Sequence, residues 1–207
     1  DAFISKYNPD GTKDWTRLLG STKSDHARGL TTGLDGSIYI AGETYGDLDG
    51  ETNSGNGDAF ISKYNPDGTK DWTKLLGSTG YEWANALTTG LDGSIYIAGR
   101  TWGDLDGQTS SEISDAVMSK VHAEYGETYS NRTSKYENIT HAEWDAAYKA
   151  HVYLLSGDAF ISKYNPDGTK DWTKLLGSSE ADEAYALTTG YDGSIYIAGE
   201  TNGDLDG

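Results

Sequence analysis

Cysteine is absent from the 207 residues and methionine occurs once. Disulfide frameworks, thiolate metal sites and thiol nucleophiles are therefore excluded. Basic residues are also scarce: 16 Lys and Arg stand against 33 Asp and Glu, for a formal net charge of -17. Nucleic acid is not an expected partner of such a chain, because each phosphate contact wants Lys or Arg. No apolar run reaches the roughly 18 residues of a membrane-spanning helix. The first residues also lack the basic and apolar regions of a signal peptide. What the chain has in quantity is glycine, at 27 residues, and aromatics, at 12%. Tyr and Trp, at 15 and 6, far outnumber Phe at 3. That aromatic content is too high for a chain unable to build a core.

The composition hides a repeat. DAFISKYNPDGTKDWTRLLG begins at Asp1; DAFISKYNPDGTKDWTKLLG begins at Asp58 and returns unchanged at Asp158. A second block recurs as ARGLTTGLDGSIYIAGETYGDLDG from Ala27, ANALTTGLDGSIYIAGRTWGDLDG from Ala84 and AYALTTGYDGSIYIAGETNGDLDG from Ala184. From Asp1 to Asp58 the period is 57 residues, and one further period lands on Asp115, which opens DAVMSKVH. Residues 1–207 therefore read as a single domain of repeats 1–57, 58–114 and 158–207, with 115–157 a shortened, degenerate repeat. Within that segment a second reading stands beside the first. Thr140-His141-Ala142-Glu143 has the form of a capping box. Trp144, Ala147, Tyr148, Val152 and Leu155 then recur at helical spacing before Gly157, so 141–155 reads equally as a helix.

Each full repeat holds four strand candidates: 27–32, 37–42, 58–64 and 70–76 for the first. SIYI and AFI are β-rich and continuously apolar, which suits strands covered on both faces. LDGS and NPDG are hairpin turns, Gly supplying the positive φ and Pro presetting the bend. Four antiparallel strands at a period of tens of residues predict an all-β fold, a β-propeller of four-stranded blades. Trp15, Trp72 and Trp172, one from each KDWT, are expected to pack between neighbouring blades.

The pattern G-D-A-F-x-x-K-Y…G…W-T…L-G…A…G-x-I-Y-I-A-G-x-T resembles the bacterial β-propeller repeat abbreviated SBBP. The resemblance covers the three full repeats. It implies an extracellular or cell-surface bacterial protein with a non-enzymatic role. Here three good repeats and one degenerate one stand where the family name has seven blades. The chain opens on an outer hairpin and closes on an inner one, so ring closure would join the two halves in one blade. Three blades cannot close a ring alone. Four form a strained monomeric ring, and two copies could share a ring of six or eight as a homo-oligomer. A piece of a longer array, or a structural or engineered repeat fragment whose role is self-assembly, is the alternative to a recognition module.

Comparing the repeats with one another locates a candidate site. They differ before the first strand, at 23–28, 80–85 and 180–185, and after the second, at Glu43/Arg100/Glu200 and Tyr45/Trp102/Asn202. Antiparallel pairing puts both places at one end of the hairpin, on one propeller face. That face carries Tyr45, Tyr81, Trp83, Trp102 and Tyr185 beside Asp25, Glu82 and Asp182. Rings stack on apolar faces and carboxylates accept hydroxyl donors, so a glycan or protein ligand is expected there. Surface drift of loops is the plain alternative. A second candidate is the acidic turn Asp47-Leu48-Asp49-Gly50, repeated with Asp104 and Asp106 and with Asp204 and Asp206. It could gather oxygen ligands for Ca2+, although no Glu completes an EF-hand loop. No enzyme motif is present: the four His form no H-E-x-x-H, and G-x-S-x-G is absent. The sequons at Asn131 and Asn138 read as chance.

Overall fold

The computed structural model describes residues 1–110 and 157–205. Twelve strands follow one another: β1 (Ala2–Tyr7), β2 (Lys13–Leu19), β3 (Asp25–Thr32), β4 (Ile38–Thr44), β5 (Asp58–Tyr64), β6 (Lys70–Leu76), β7 (Glu82–Thr89), β8 (Ile95–Thr101), β9 (Asp158–Tyr164), β10 (Lys170–Leu176), β11 (Asp182–Thr189) and β12 (Ile195–Thr201). They form two four-stranded antiparallel sheets, β3-β4-β5-β6 and β7-β8-β9-β10, flanked by the two-stranded β1-β2 and β11-β12. These are propeller blades: two complete ones between an outer half-blade and an inner half-blade.

The turn chemistry closes as its letters require. Gly36, Gly68, Gly93 and Gly168 all have φ between 81° and 86°. In each NPDG turn the Asp side chain accepts the Thr backbone N–H two residues on, at 2.9 Å (Asp10, Asp67, Asp167). In each LDGS or YDGS turn the Asp accepts the Ser N–H at 3.0 Å (Asp35, Asp92, Asp192). The continuous apolar runs lie where both faces are covered. All seven residues of β5 are buried, sandwiched between neighbouring sheets. One core, with Tyr39, Ile61, Leu76, Ile97, Phe160 and Tyr164, fills the space between the complete blades. A second, with Ile4, Trp15, Leu19, Ile40 and Phe60, seats β1-β2 on the first of them.

Two of the three KDWT tryptophans, Trp15 and Trp72, pack between blades as expected, while Trp172 meets Tyr96 of its own blade, 6.0 Å between ring centroids. The indole of Trp15 lies over Gly68 and donates to the carbonyl of Pro66 at 3.4 Å. Trp72 repeats this on Gly168 and Pro166, at 3.3 Å. A Cβ at either glycine would sit within 3.0 Å of the ring, so only glycine admits it.

β8 pairs with β9, Thr101 opposite Asp158. This is the register in which β4 pairs with β5, Thr44 opposite Asp58. The strand place nominally belonging to a degenerate repeat is thus held by the copy that begins at Asp158. The degenerate-repeat and helix readings of 115–157 themselves lie outside the described residues.

Candidate functional site

The inner strand of every blade carries one extra residue. Pairing of β3 with β4 slips between Ala27 and Gly29, and the same slip occurs between Ala84 and Ala86 and between Ala184 and Ala186. Arg28, Asn85 and Tyr185 are the bulged residues. A bulge bends its strand and re-aims a side chain. Opposite each bulge stands the glycine of I-A-G. A Cβ at Gly42, Gly99 or Gly199 would lie within 2 Å of the carbonyl oxygen of His26, Trp83 or Glu183. An invariant glycine thus holds the backbone that presents a variable side chain.

The three carboxylates expected to face a ligand point into the protein. Asp25, Glu82 and Asp182 are all buried. Asp25 accepts the backbone N–H of Ser21 at 2.8 Å and the Thr44 hydroxyl at 2.6 Å. Glu82 accepts the Ser78 N–H at 2.8 Å, the Thr101 hydroxyl at 2.9 Å and the Ser78 hydroxyl. Asp182 takes the Ser178 N–H at 2.6 Å and its hydroxyl at 3.0 Å. These side chains tie down the loop before each inner strand, which corrects their reading as ligand acceptors. Burial pushes the carboxyl of Glu82 above its ordinary value, and that of the neighbouring Asp58 likewise, because the low-dielectric surroundings disfavour the charge.

The aromatics are brought together on the loop face. Tyr45 and Tyr81 meet edge to face with centroids 6.2 Å apart, Tyr81 and Trp102 at 6.2 Å, and Trp102 and Trp83 at 4.6 Å. His26 extends the row at 6.1 Å from Tyr45. These contacts run from residues of the first complete blade to residues of the second, forming one stripe. Two guanidinium groups sit on it, Arg28 at 5.1 Å from the Trp83 ring and Arg100 at 4.2 Å from Trp102. Each such contact is worth about 0.5–1 kcal/mol when exposed and more when desolvated. Glu43 grips Arg28 through both oxygens, at 2.5 and 2.7 Å, and holds it firmly charged. Glu183 reaches Arg100 at 3.4 Å and accepts from the side chain of Asn85 at 2.9 Å. Tyr185 stands apart from the stripe, exposed, with its hydroxyl 3.4 Å from Glu200.

The stripe therefore contains residues that the aromatic pattern did not select: His26, Arg28, Arg100, Glu43 and Glu183. Their signal was present, since all of them occupy positions at which the repeats differ. What sequence spacing could not supply was the pairing between blades.

The acidic turns are built differently from a cation site. Asp49 and Asp106 adopt positive φ, 54° and 53°. Asp49 accepts from the ammonium of Lys70 and from the hydroxyl of Thr73, and Asp106 from Lys170 and Thr173. Asp47 accepts the N–H of Asn53 at 3.0 Å, and Asp104 that of Ser110 at 2.9 Å. Among the described residues no group of three or more His, Asp or Glu is placed to hold a metal ion. Asp204 is exposed, and Asp206 lies outside the described residues.

Comparison with known proteins agrees with the blades. Residues 171–206 match the SBBP beta-propeller repeat, and residues 34–73 match a beta-propeller domain of unknown function designated DUF5122. Across its whole length the chain is 26% identical to the regulatory protein FlaEY of Caulobacter vibrioides, of which it spans 20%. Two propeller families match different copies of the repeat, and the strands between them follow the blade order. The chain is built of β-propeller repeats, with the SBBP repeat among its matched units.

Proposed function

We propose that this chain is a non-enzymatic, extracellular or cell-surface recognition module that binds a glycan or a protein through the stripe Tyr45–Tyr81–Trp102–Trp83. The observation that carries the reading is the continuity of that stripe across two blades. Its members come from positions where otherwise near-identical repeats differ. A ring face offers a stacking surface, while Arg28, held in place by the buried Glu43, sets a charged group beside it, the combination that fixes both affinity and orientation. The carboxylates raised by burial hold loops and do not line an open cleft, which favours binding over turnover. Similarity to a protein named as regulatory supports the same direction.

The test is a glycan array and a pull-down with the intact chain, each repeated with Trp83→Ala and Trp102→Ala. Binding that the substitutions abolish supports the reading. No ligand in either screen, or binding unaffected by both substitutions, overturns it.

A further inference from the structure

We propose that the Tyr81 ring, beside Tyr45 and Trp102, takes an arginine side chain of a protein partner. The inference rests on the reading of the stripe as a binding surface, and it selects a protein over a glycan as the ligand.

The chain's own side chains show how its rings hold cations. At the turn end Lys63 lies over Tyr39 and pairs with Asp35, and Lys163 lies over Tyr96 and pairs with Asp92. On the loop face Arg28 lies over Trp83 and pairs with Glu43, and Arg100 lies over Trp102 and pairs with Glu183. Ring, cation and carboxylate recur as one unit, because the negative face of the ring and the carboxylate attract the same charge. The turn end uses ammonium groups for it. The loop face uses guanidinium groups.

Tyr81 and Glu82 supply a ring and a carboxylate, and no side chain of the described residues supplies the cation. Tyr81 is 40% exposed although it lies between the two complete blades, and none of the chain's cation–ring contacts falls on it. Glu82 is fully buried, and its N–H donates to the Gly57 carbonyl at 2.8 Å, which brings it beside Asp58, also fully buried. The Tyr45 ring packs on the same Gly57, 3.2 Å from where a Cβ would stand. The partners of Glu82 are the Ser78 N–H and hydroxyl and the Thr101 hydroxyl, and one oxygen of Asp58 has no hydrogen-bond partner. Burial disfavours the charge of both carboxylates, and Asp58 disfavours that of Glu82 further. Arg28 and Arg100 are balanced by carboxylates of their own. A cation held on Tyr81 balances the two at the blade junction.

Shape points the same way. Tyr45 and Trp102 cross the plane of Tyr81 at 60° and 82°, each with its centroid 6.2 Å away. The rings stand as walls and do not extend one flat table. A sugar ring stacks on a flat face, whereas a compact cation fits among upright rings. The net charge of -17 draws a basic segment toward the chain, and the ring then fixes where its guanidinium settles.

The intact chain is titrated into fluorescein-labelled hexa-arginine and, separately, hexa-citrulline, which has nearly the same shape without the charge. Anisotropy is read at about 0.15 M salt, where long-range attraction is screened. Hexa-arginine is expected to bind and hexa-citrulline is not. Tyr81→Phe, which keeps the ring, should bind hexa-arginine as the unsubstituted chain does. Tyr81→Leu, apolar without a ring, should bind it at least about fivefold more weakly, the scale of one cation–π contact. No binding of hexa-arginine overturns the proposal. So does equal binding of the two peptides, or binding that Tyr81→Leu leaves unchanged, which would assign the attraction to net charge alone. A glycan captured through Trp83 and Trp102, with hexa-arginine left unbound, overturns the arginine assignment and keeps the stripe as a binding surface. Failure of both ligands removes both readings.

Discussion

The two ends of each blade hairpin follow opposite rules. At the turn end the letters are nearly the same in every copy and so are the bonds: one Asp, one backbone N–H, one glycine at positive φ. At the loop end the letters differ, and contacts such as Tyr45 with Tyr81 and Asn85 with Glu183 join unlike residues from different blades. The turn Asp is satisfied within its own repeat, and the turn's contacts with the neighbouring hairpin, such as Trp15 and Trp72 on Pro66 and Pro166, recur with the same letters. A loop whose partners lie in the next blade depends on what that blade presents, so variation there changes the surface and leaves the fold in place.

The contrast can be broken most forcefully at the turn end. Trp72→Ala removes an indole from Gly168, Pro166 and Tyr39. Its expected cost is about 3 kcal/mol, read as a lowered denaturation midpoint with the m-value unchanged. Gly68→Ala should cost less, about 1–2 kcal/mol, because it places a Cβ at φ 83°. Part of that cost comes from pushing on Trp15.

A third prediction separates the two ends by pH. Asp35 and Asp92 at the turns are held below the ordinary carboxylate value, chiefly by the backbone N–H bonds of Ser37 and Ser94. Their contribution is present above their unfolded value of 3.8 and is lost as the pH falls through the folded one. Glu82 at the loop end is raised by burial, so its sign is opposite. Its contribution is fully present below the unfolded value of 4.5 and is lost as the pH rises through the folded one. Glu82→Gln, neutral at every pH, should therefore flatten the melting temperature between pH 4.5 and the raised folded value. Melting curves of the two chains across that interval check it; parallel curves would contradict it.

The smallest effect on stability belongs to the stripe itself. Tyr81 is exposed at its centre, and Tyr81→Ala should cost less than about 1 kcal/mol, the scale of an aromatic pair. Ligand capture should fall sharply in the same variant. A large loss of stability, with capture intact, would make the stripe a packing device.

The blades were readable because the repeat writes the same strand and turn signals several times, each with its own glycine. The blade tryptophans were readable for the same reason. The carboxylates were not. Asp25 and Glu82 stand at variable positions in sequence, but their hydroxyl donors Thr44 and Thr101 belong to the next strand. The lysine partners of the acidic turns were likewise out of reach of spacing, since Lys70 lies 21 residues from Asp49 and Lys170 lies 64 from Asp106. Spacing along the chain shows what a loop can offer, and only the fold shows what it has already been given.

The identity of the hairpins that begin at Asp58 and Asp158 bears on how the molecule assembles. No side chain instructs β4 to take β5 in preference to β9, because the two strands have the same letters. The chain itself decides. Residues 45–57 connect β4 to β5, while 102–157 connect β8 to β9, a connection roughly four times as long. The short connection keeps β5 close to β4 from the outset. A chain in which β9 reaches β4 first is a kinetic trap whose contacts look native.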